Sequence, residues 1–122
     1  MRVRGIRRRA LRMILAAGRD AYPEEFSAAL RAKDGVITEL ILVPGTIAGE
    51  SSALMRLHML PIDFSIVGSA HSHPSGGCSP SVADLEFFSK FGYVHIIAAS
   101  PFGEGDWAVY DPGGRRTELK VV

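Results

Sequence analysis

The chain has 122 residues, of which 47% are hydrophobic and 22% charged, and it carries a net charge of +1. That size and balance fit one globular domain over residues 1–122, large enough to bury roughly two-thirds of its unfolded surface. They exclude a disordered tail and a collagen-like fibre, and a single cysteine, Cys78, excludes a disulfide-built miniprotein.

No apolar run approaches the ~20 residues needed to span a bilayer. The stretch Met1-Arg2-Val3-Arg4-Gly5-Ile6-Arg7-Arg8-Arg9 carries charge where a signal peptide needs its apolar core. With an unpaired cysteine, this predicts a cytoplasmic protein. The small net charge hides an asymmetry. Residues 1–19 hold seven arginines and no acid, whereas the remainder holds seven cations against thirteen acids. A cationic stretch of this kind can contact nucleic acid. Without interleaved aromatic residues or a nucleic-acid motif, it reads instead as the solvated outer face of a helix.

That helix is predicted from Ile6 to Ala21, where Ile6, Ala10, Met13, Ile14, Ala17 and Ala21 recur at three- and four-residue steps. Pro23 stops it. Glu25–Ala32 reads as a strand, Lys33-Asp34-Gly35 as a hairpin turn, and Val36–Val43 as a second strand. Both faces of that second strand are largely apolar, which predicts burial on both sides. Pro44-Gly45 closes it. Ser52–His58 is a weaker strand, followed by an apolar loop at Met59-Leu60-Pro61. Phe64–His73 reads as a strand running into His-Pro. A second helix is predicted over Ser79–Phe91, with Ser79 as N-cap, Pro80 in the first helical position and Gly92 at its end. Tyr93–Ala99 is a further apolar strand. Trp107–Tyr110 and Glu118–Val122 are expected to pair around Asp111-Pro112-Gly113-Gly114. This order predicts an α+β fold: a mixed central sheet flanked by an N-terminal helix and a second helix after the His-x-His strand.

One stretch carries chemistry: His71-Ser72-His73-Pro74, then Ser81-Val82-Ala83-Asp84. On a strand, His71 and His73 point to the same face. Ser81 and Asp84 share a helical face, and the intervening loop of Ser, Gly and Pro can fold that helix start back toward the histidines. Two nitrogens and one carboxylate oxygen near a common centre suit zinc in its catalytic form, with water as the fourth ligand. Zinc would lower the pKa of that water to roughly 7. Ser81-x-x-Asp84 is also a helix-start pattern in which polar side chains cap free amides. Cys78 lies between the ligands, as an occasional ligand or a small loop residue. His95 sits among Val94, Ile96 and Ile97 and reads as a hydrogen-bonded sheet residue, while His58 has no motif around it. Neither HExxH nor the His/Cys pattern of zinc deaminases occurs.

His-x-His-Pro-x6-Ser-x2-Asp is the signature of the JAMM metalloproteases, or MPN-plus domains, and the chain resembles a minimal stand-alone version of them, of archaeal or bacterial type. The resemblance implies cytidine-deaminase-like α/β layering and one zinc ion held by His71, His73 and Asp84. It assigns Ser81 to stabilising the oxyanion. It assigns Glu25, in Pro23-Glu24-Glu25-Phe26, to taking a proton from the metal-activated water and passing it to the leaving amine. Glu24 competes for that role, since adjacent strand residues point oppositely, and Glu50 is a more distant candidate; the family's Pro-x-Glu spacing selects Glu25. Where the family often has glycine, three residues after the glutamate and at the end of its first strand, this chain has Ala28 and Arg31-Ala32-Lys33, which bears on strand packing rather than catalysis.

The function implied is zinc-dependent hydrolysis of the amide between the C-terminal glycine of a ubiquitin-like modifier and a lysine. The alternatives are C-terminal trimming of a ThiS-like sulfur carrier, or a non-catalytic MPN scaffold. The partner is then a ubiquitin-like or sulfur-carrier-like protein ending in Gly-Gly, with Leu54, Met55, Leu57, Met59 and Leu60 of Ser52–Asp63 as a docking stretch or as core.

Overall fold

The structure, a computed structural model, describes residues 2–42 and 63–122. The predicted strand over Ser52–His58, the loop at Met59-Leu60-Pro61, the candidates Glu50 and His58, and all of the docking stretch except Asp63 lie outside those residues.

A short first strand, β1 (Gly5–Ile6), precedes the long helix α1 (Arg8–Ala21). Next come β2 (Ser27–Lys33) and β3 (Val36–Leu42), joined through Asp34 and Gly35. Both turn residues have positive φ, 54° and 79°, the combination whose twist suits a two-residue hairpin and which aspartate and glycine tolerate. β4 (Ile66–His73) pairs antiparallel with β2, bringing Ser27 opposite His71. The chain then crosses through helix α2 (Val82–Phe88) to β5 (Val94–Ala99), which lies parallel to β4, with His71 opposite Ile97 and His73 opposite Ala99. A parallel pair requires such a crossover, because the chain must return to the starting edge before running forward again. β6 (Trp107–Tyr110), β7 (Arg116–Thr117) and β8 (Lys120–Val121) complete the order β7-β6-β5-β4-β2-β3-β1-β8.

The two outermost strands of that order are separated in sequence by Glu118 and Leu119 alone. Three virtual bonds reach at most about 11 Å, so the mixed sheet must curl until its edges approach. Leu119, buried, fills the seam.

Alternation along the strands divides the core into two layers. Ala10, Leu11, Ile14 and Leu15 of α1 pack against Ala28, Leu30, Val67, Ala70, Ile96 and Ala98 on one face. Phe87 and Phe88 of α2 pack against Ala29, Ile97, Ala108 and Tyr110 on the other. Ala28 is fully buried, paired with Leu42 on one side and Ala70 on the other.

The elements depart from expectation in several places; three concern α1 and the sheet, each with a local cause. Ile6 is not helical; it hydrogen-bonds into the sheet between β3 and β8. Without it the apolar stripe of α1 shifts onto Leu11, Leu15 and Gly18, leaving Met13 44% exposed. On β3 only Ile37 is fully buried and Leu42 is exposed, since β1 pairs with Val36 and Ile37 alone and the α2 layer reaches this strand through Ile41. Finally, β6 pairs with Arg116–Thr117 rather than with Glu118–Val122. The Asp111–Gly114 turn is tight, with Gly114 N–H donating to the Asp111 carbonyl at 2.9 Å, and buried Leu119 diverts Lys120–Val121 to β1. Among the described residues, no helix is long and apolar enough to cross a membrane.

At Gly68 of β4 the backbones approach so closely that an added Cβ would overlap the carbonyl of Val94 on β5. Backbone cannot move aside as a side chain can, so Gly68→Ala is expected to cost about 3 kcal/mol or more. Thermal denaturation checks this: a melting temperature within a few degrees of the parent would contradict the close approach.

Candidate metal centre

β4 presents His71 and His73 on the face covered by α2, while Ala70 and Ser72 face the α1 layer. Beyond His73 the chain turns back through Gly76 and Gly77, at φ 89° and 82°. Gly76 N–H donates to the His73 carbonyl at 3.1 Å. Farther along, the Tyr110 hydroxyl donates to the Cys78 carbonyl at 2.6 Å, tying the loop to β6.

α2 begins at Ser81, not at the predicted Ser79. Ser81 is followed three residues later by Asp84, and the two form a reciprocal capping box. The Asp84 N–H donates to Ser81 Oγ at 3.0 Å, and the Ser81 N–H donates to Asp84 Oδ2 at 2.9 Å. Ser79 has Val82 at the equivalent position and can form no such pair. The helix also ends early, at Phe88, with Ser89 as C-cap. The capping reading of Ser81-x-x-Asp84 and the metal reading are thus realised by the same side chains.

The box aims Asp84 at the histidines. Its Oδ1 lies 3.1 Å from His71 Nε2, its Oδ2 lies 3.1 Å from His73 Nε2, and the two Nε2 atoms are 3.2 Å apart. Tetrahedral zinc with bonds of about 2.0–2.2 Å separates its ligands by about 3.4 Å, so the spacing fits within a few tenths of an ångström. Protonation favours the same reading. His73 Nδ1 lies 3.1 Å from the Gly77 carbonyl, which can only accept, so Nδ1 carries the hydrogen and the neutral ring turns a bare Nε2 toward Asp84. Electron pairs then face electron pairs, an arrangement that a cation at the centre satisfies. His71, His73 and Asp84 fit one zinc ion. Cys78 is not among the converging donors, and burial pushes its thiol pKa up.

The local electrostatics favour a cation. With protons on the imidazoles in place of a metal, burial opposes the Asp84 charge, but hydrogen bonds from His71 and His73, the His71 charge and the Ser81 N–H outweigh it, holding the carboxyl well below the usual range. His73 is shifted upward, first by its bond to Asp84, then by the Gly77 carbonyl and the charges of Asp84 and Glu25, against the opposing effect of burial.

Glu25 is exposed two residues ahead of β2, and the residue between, Phe26, is buried in the α1 layer. Alternation turns Glu25 to the histidine face, and its charge acts on His73. Glu24, also exposed, sits on the turn after Pro23, where its N–H donates to the Ala21 carbonyl. Ser81 is exposed too; its Oγ accepts from Asp84, which leaves the hydroxyl hydrogen available to an incoming oxygen. His95 is the expected sheet residue. Its Nδ1 is 2.7 Å from Ser69 Oγ, and its ring stacks on Phe88 at 4.3 Å. The sequence reading passed over Ser72, a buried hydroxyl between the two histidines whose Oγ accepts from the Phe26 N–H at 2.9 Å. A polar residue pointing into an apolar layer was the available signal.

Comparison with known proteins agrees with this geometry. The family described as prokaryotic homologues of the JAB domain matches residues 7–111. The chain belongs to the JAMM family. A Haloferax volcanii protein named "Probable metalloprotease" is 40% identical, over 97% of this chain and 79% of its own length. A JAB1/MPN domain protein from Archaeoglobus fulgidus superposes with a TM-score of 0.81 at 36% identity, covering 98% of both chains. A second solved structure, described as JAMM, a metalloprotease-like zinc site in the proteasome and signalosome, has a TM-score of 0.78 at 36% identity and the same coverage. The α+β expectation and the JAMM resemblance both hold.

Two predictions follow from the centre and its support. Asp84→Asn keeps a capping oxygen but removes the charge, so zinc measured by atomic absorption is expected to fall from one per chain to a small fraction, with far-UV circular dichroism unchanged. The second concerns His95, whose burial pushes its pKa down to about 4 from 6.5. Above pH 6.5 the residue is neutral in both folded and unfolded chains. Between pH 6.5 and 4 the unfolded chain takes up a proton that the folded protein refuses, so stability falls by about 3 kcal/mol across that window. Urea denaturation is expected to show a shallower pH slope for His95→Phe over the same range.

Proposed function

We propose that this JAMM-family protein is a zinc-dependent isopeptidase, cleaving the amide between a modifier's C-terminal glycine and a lysine. The observation that carries the reading is that the charge of Glu25 acts on His73, with support from the Ser81 hydroxyl, whose hydrogen is left free by the capping bond to Asp84. Zinc, when bound, supplies a Lewis acid and lowers the pKa of a water ligand to about 7. Glu25 accepts the water proton and returns it to the leaving lysine amine, as a solvent-accessible carboxylate within reach of the reacting atoms can. Ser81 donates its hydroxyl hydrogen to the oxyanion that develops on the scissile carbonyl. His71, His73 and Asp84 hold the ion and do not exchange protons with substrate.

Accessibility supports a protein substrate with a slender tail. His71 and Asp84 are buried, whereas Glu25 and Ser81 are exposed. The scissile bond must therefore reach the centre at the surface. An extended Gly-Gly tail has no side chains to obstruct that approach and can bind through its backbone. The partner in this reading is a ubiquitin-like or sulfur-carrier-like protein ending in Gly-Gly.

Incubation of zinc-loaded protein with a lysine-linked ubiquitin-like conjugate, followed by intact-mass analysis, tests this. Release of the whole modifier and the free lysine partner is expected. Glu25→Ala is expected to slow release by about 10²- to 10⁴-fold, and Ser81→Ala by about 10²- to 10³-fold. Loss of a terminal residue alone would favour carrier trimming, and an inert zinc-loaded protein would favour a scaffold.

A further inference from the structure

We infer that Ser72 is the positioning residue for Glu25: its buried hydroxyl fixes the backbone from which that carboxylate projects. The inference rests on the proposed role of Glu25. The antiparallel ladder between β2 and β4 is regular from the pair Leu30–Gly68 up to Ser27–His71, and its one register shift falls beyond, between Leu30 and Arg31. One step further, Phe26 and Ser72 face each other. In a hydrogen-bonded antiparallel pair, the two residues exchange both backbone N–H···O bonds. Here only one is made: the Ser72 N–H donates to the Phe26 carbonyl at 3.1 Å. The reciprocal donor, the Phe26 N–H, goes to Ser72 Oγ at 2.9 Å. A side-chain oxygen has taken the place of a ladder carbonyl, and at this point the chain leading into β2 departs from the sheet.

The consequence falls on the adjacent residue. Phe26 is anchored on one side by burial in the α1 layer and on the other by Ser72. Glu25, next in the chain and exposed, makes no hydrogen bond or ion pair with the described residues that would orient it. Its direction toward His73 is set through the Phe26 backbone. Ser72 itself is wholly buried and cannot touch substrate. Because Ser72 lies between His71 and His73 on one rigid strand, the spacing between base and ligands is built into three consecutive residues. A one-residue slip would present Glu24 instead.

The test combines kinetics on the same lysine-linked conjugate with amide hydrogen exchange on the zinc-loaded protein. Ser72→Ala removes the acceptor; Ser72→Cys keeps the volume with a weaker one, in case alanine destabilises the fold; Ser72→Thr keeps the hydroxyl. In the first two, kcat is expected to fall by about tenfold or more while KM stays within about twofold, with one zinc per chain retained. Exchange of the Phe26 amide is expected to accelerate by about tenfold. Ser72→Thr restores both. In a Glu25→Ala background, Ser72→Ala is expected to add no further loss, because a residue acting through Glu25 has nothing left to position. Independent, multiplying losses would overturn the inference, as would a folded Ser72→Ala protein with unchanged kcat. Unchanged Phe26 exchange in Ser72→Ala overturns it whether or not the conjugate is cleaved. Full activity in Glu25→Ala strikes the proposed base, whereas its loss there beside full activity in Ser72→Ala strikes only the positioning role.

Discussion

The centre depends on one carboxylate. Each oxygen of Asp84 faces a different histidine nitrogen at 3.1 Å, and Oδ2 also accepts the N–H of Ser81. Helix capping and metal ligation are usually separate tasks. Here they share an atom, so the first turn of α2 and the position of the ligand cannot vary independently. An isolated carboxylate would be poorly stable at 4% exposure, and two imidazoles with facing nitrogens at 3.2 Å would be unfavourable without a cation or a proton between them. The capping box delivers the charge that makes the histidine pair tolerable, and the histidines lower the cost of burying the charge.

The fold brings these groups together by topology. β4 and β5 run parallel, and the crossover between them starts just after His73 and contains α2. Ligands in α/β structures collect at the C-terminal ends of parallel strands because loops and helix starts converge there. His73 is the last residue of β4, and the box opens eight residues later. β2 supplies the other side: it is antiparallel to β4, so its N-terminal end, with Glu25 just ahead of it, lies at the same edge of the sheet. The centre is where the end of one strand meets the beginning of its antiparallel neighbour.

Much of this was readable in the sequence because it depends on local rules. The His-x-His spacing fixes a common face on any strand, Asp34-Gly35 fixes a hairpin, and Ser81-x-x-Asp84 fixes a helix start. What escaped the reading was set by residues distant in sequence. Ile6 has a helical spacing relative to Ala10, yet β3 and β8 draw it into the sheet. Leu119 redirects the last strand by filling a seam that exists only once eight strands have curled. Ser79-Pro80 is a reasonable helix start by residue type, but it lacks the partner three residues on that Ser81 possesses. Alternation marks Ser72 as a polar residue in an apolar layer, but not its partner, the Phe26 amide, which is 46 positions away.

Burial grades outward from the ligands to the groups proposed to act on substrate. His71 and Asp84 are nearly inaccessible, His73 is intermediate, and Glu25 and Ser81 are exposed. Rigid, partly desolvated ligands keep the donor geometry and strengthen its electrostatics. A base and an oxyanion donor must instead meet an amide that arrives from outside. In the proposed reading, specificity is governed by what can reach the surface in an extended form. That constraint favours the flexible end of a folded partner over an internal segment of it, since an internal peptide bond would have to be pulled out of its own hydrogen-bonded structure first. The shallow placement of Glu25 and Ser81 thus argues for a tail as substrate on physical grounds, independently of any motif.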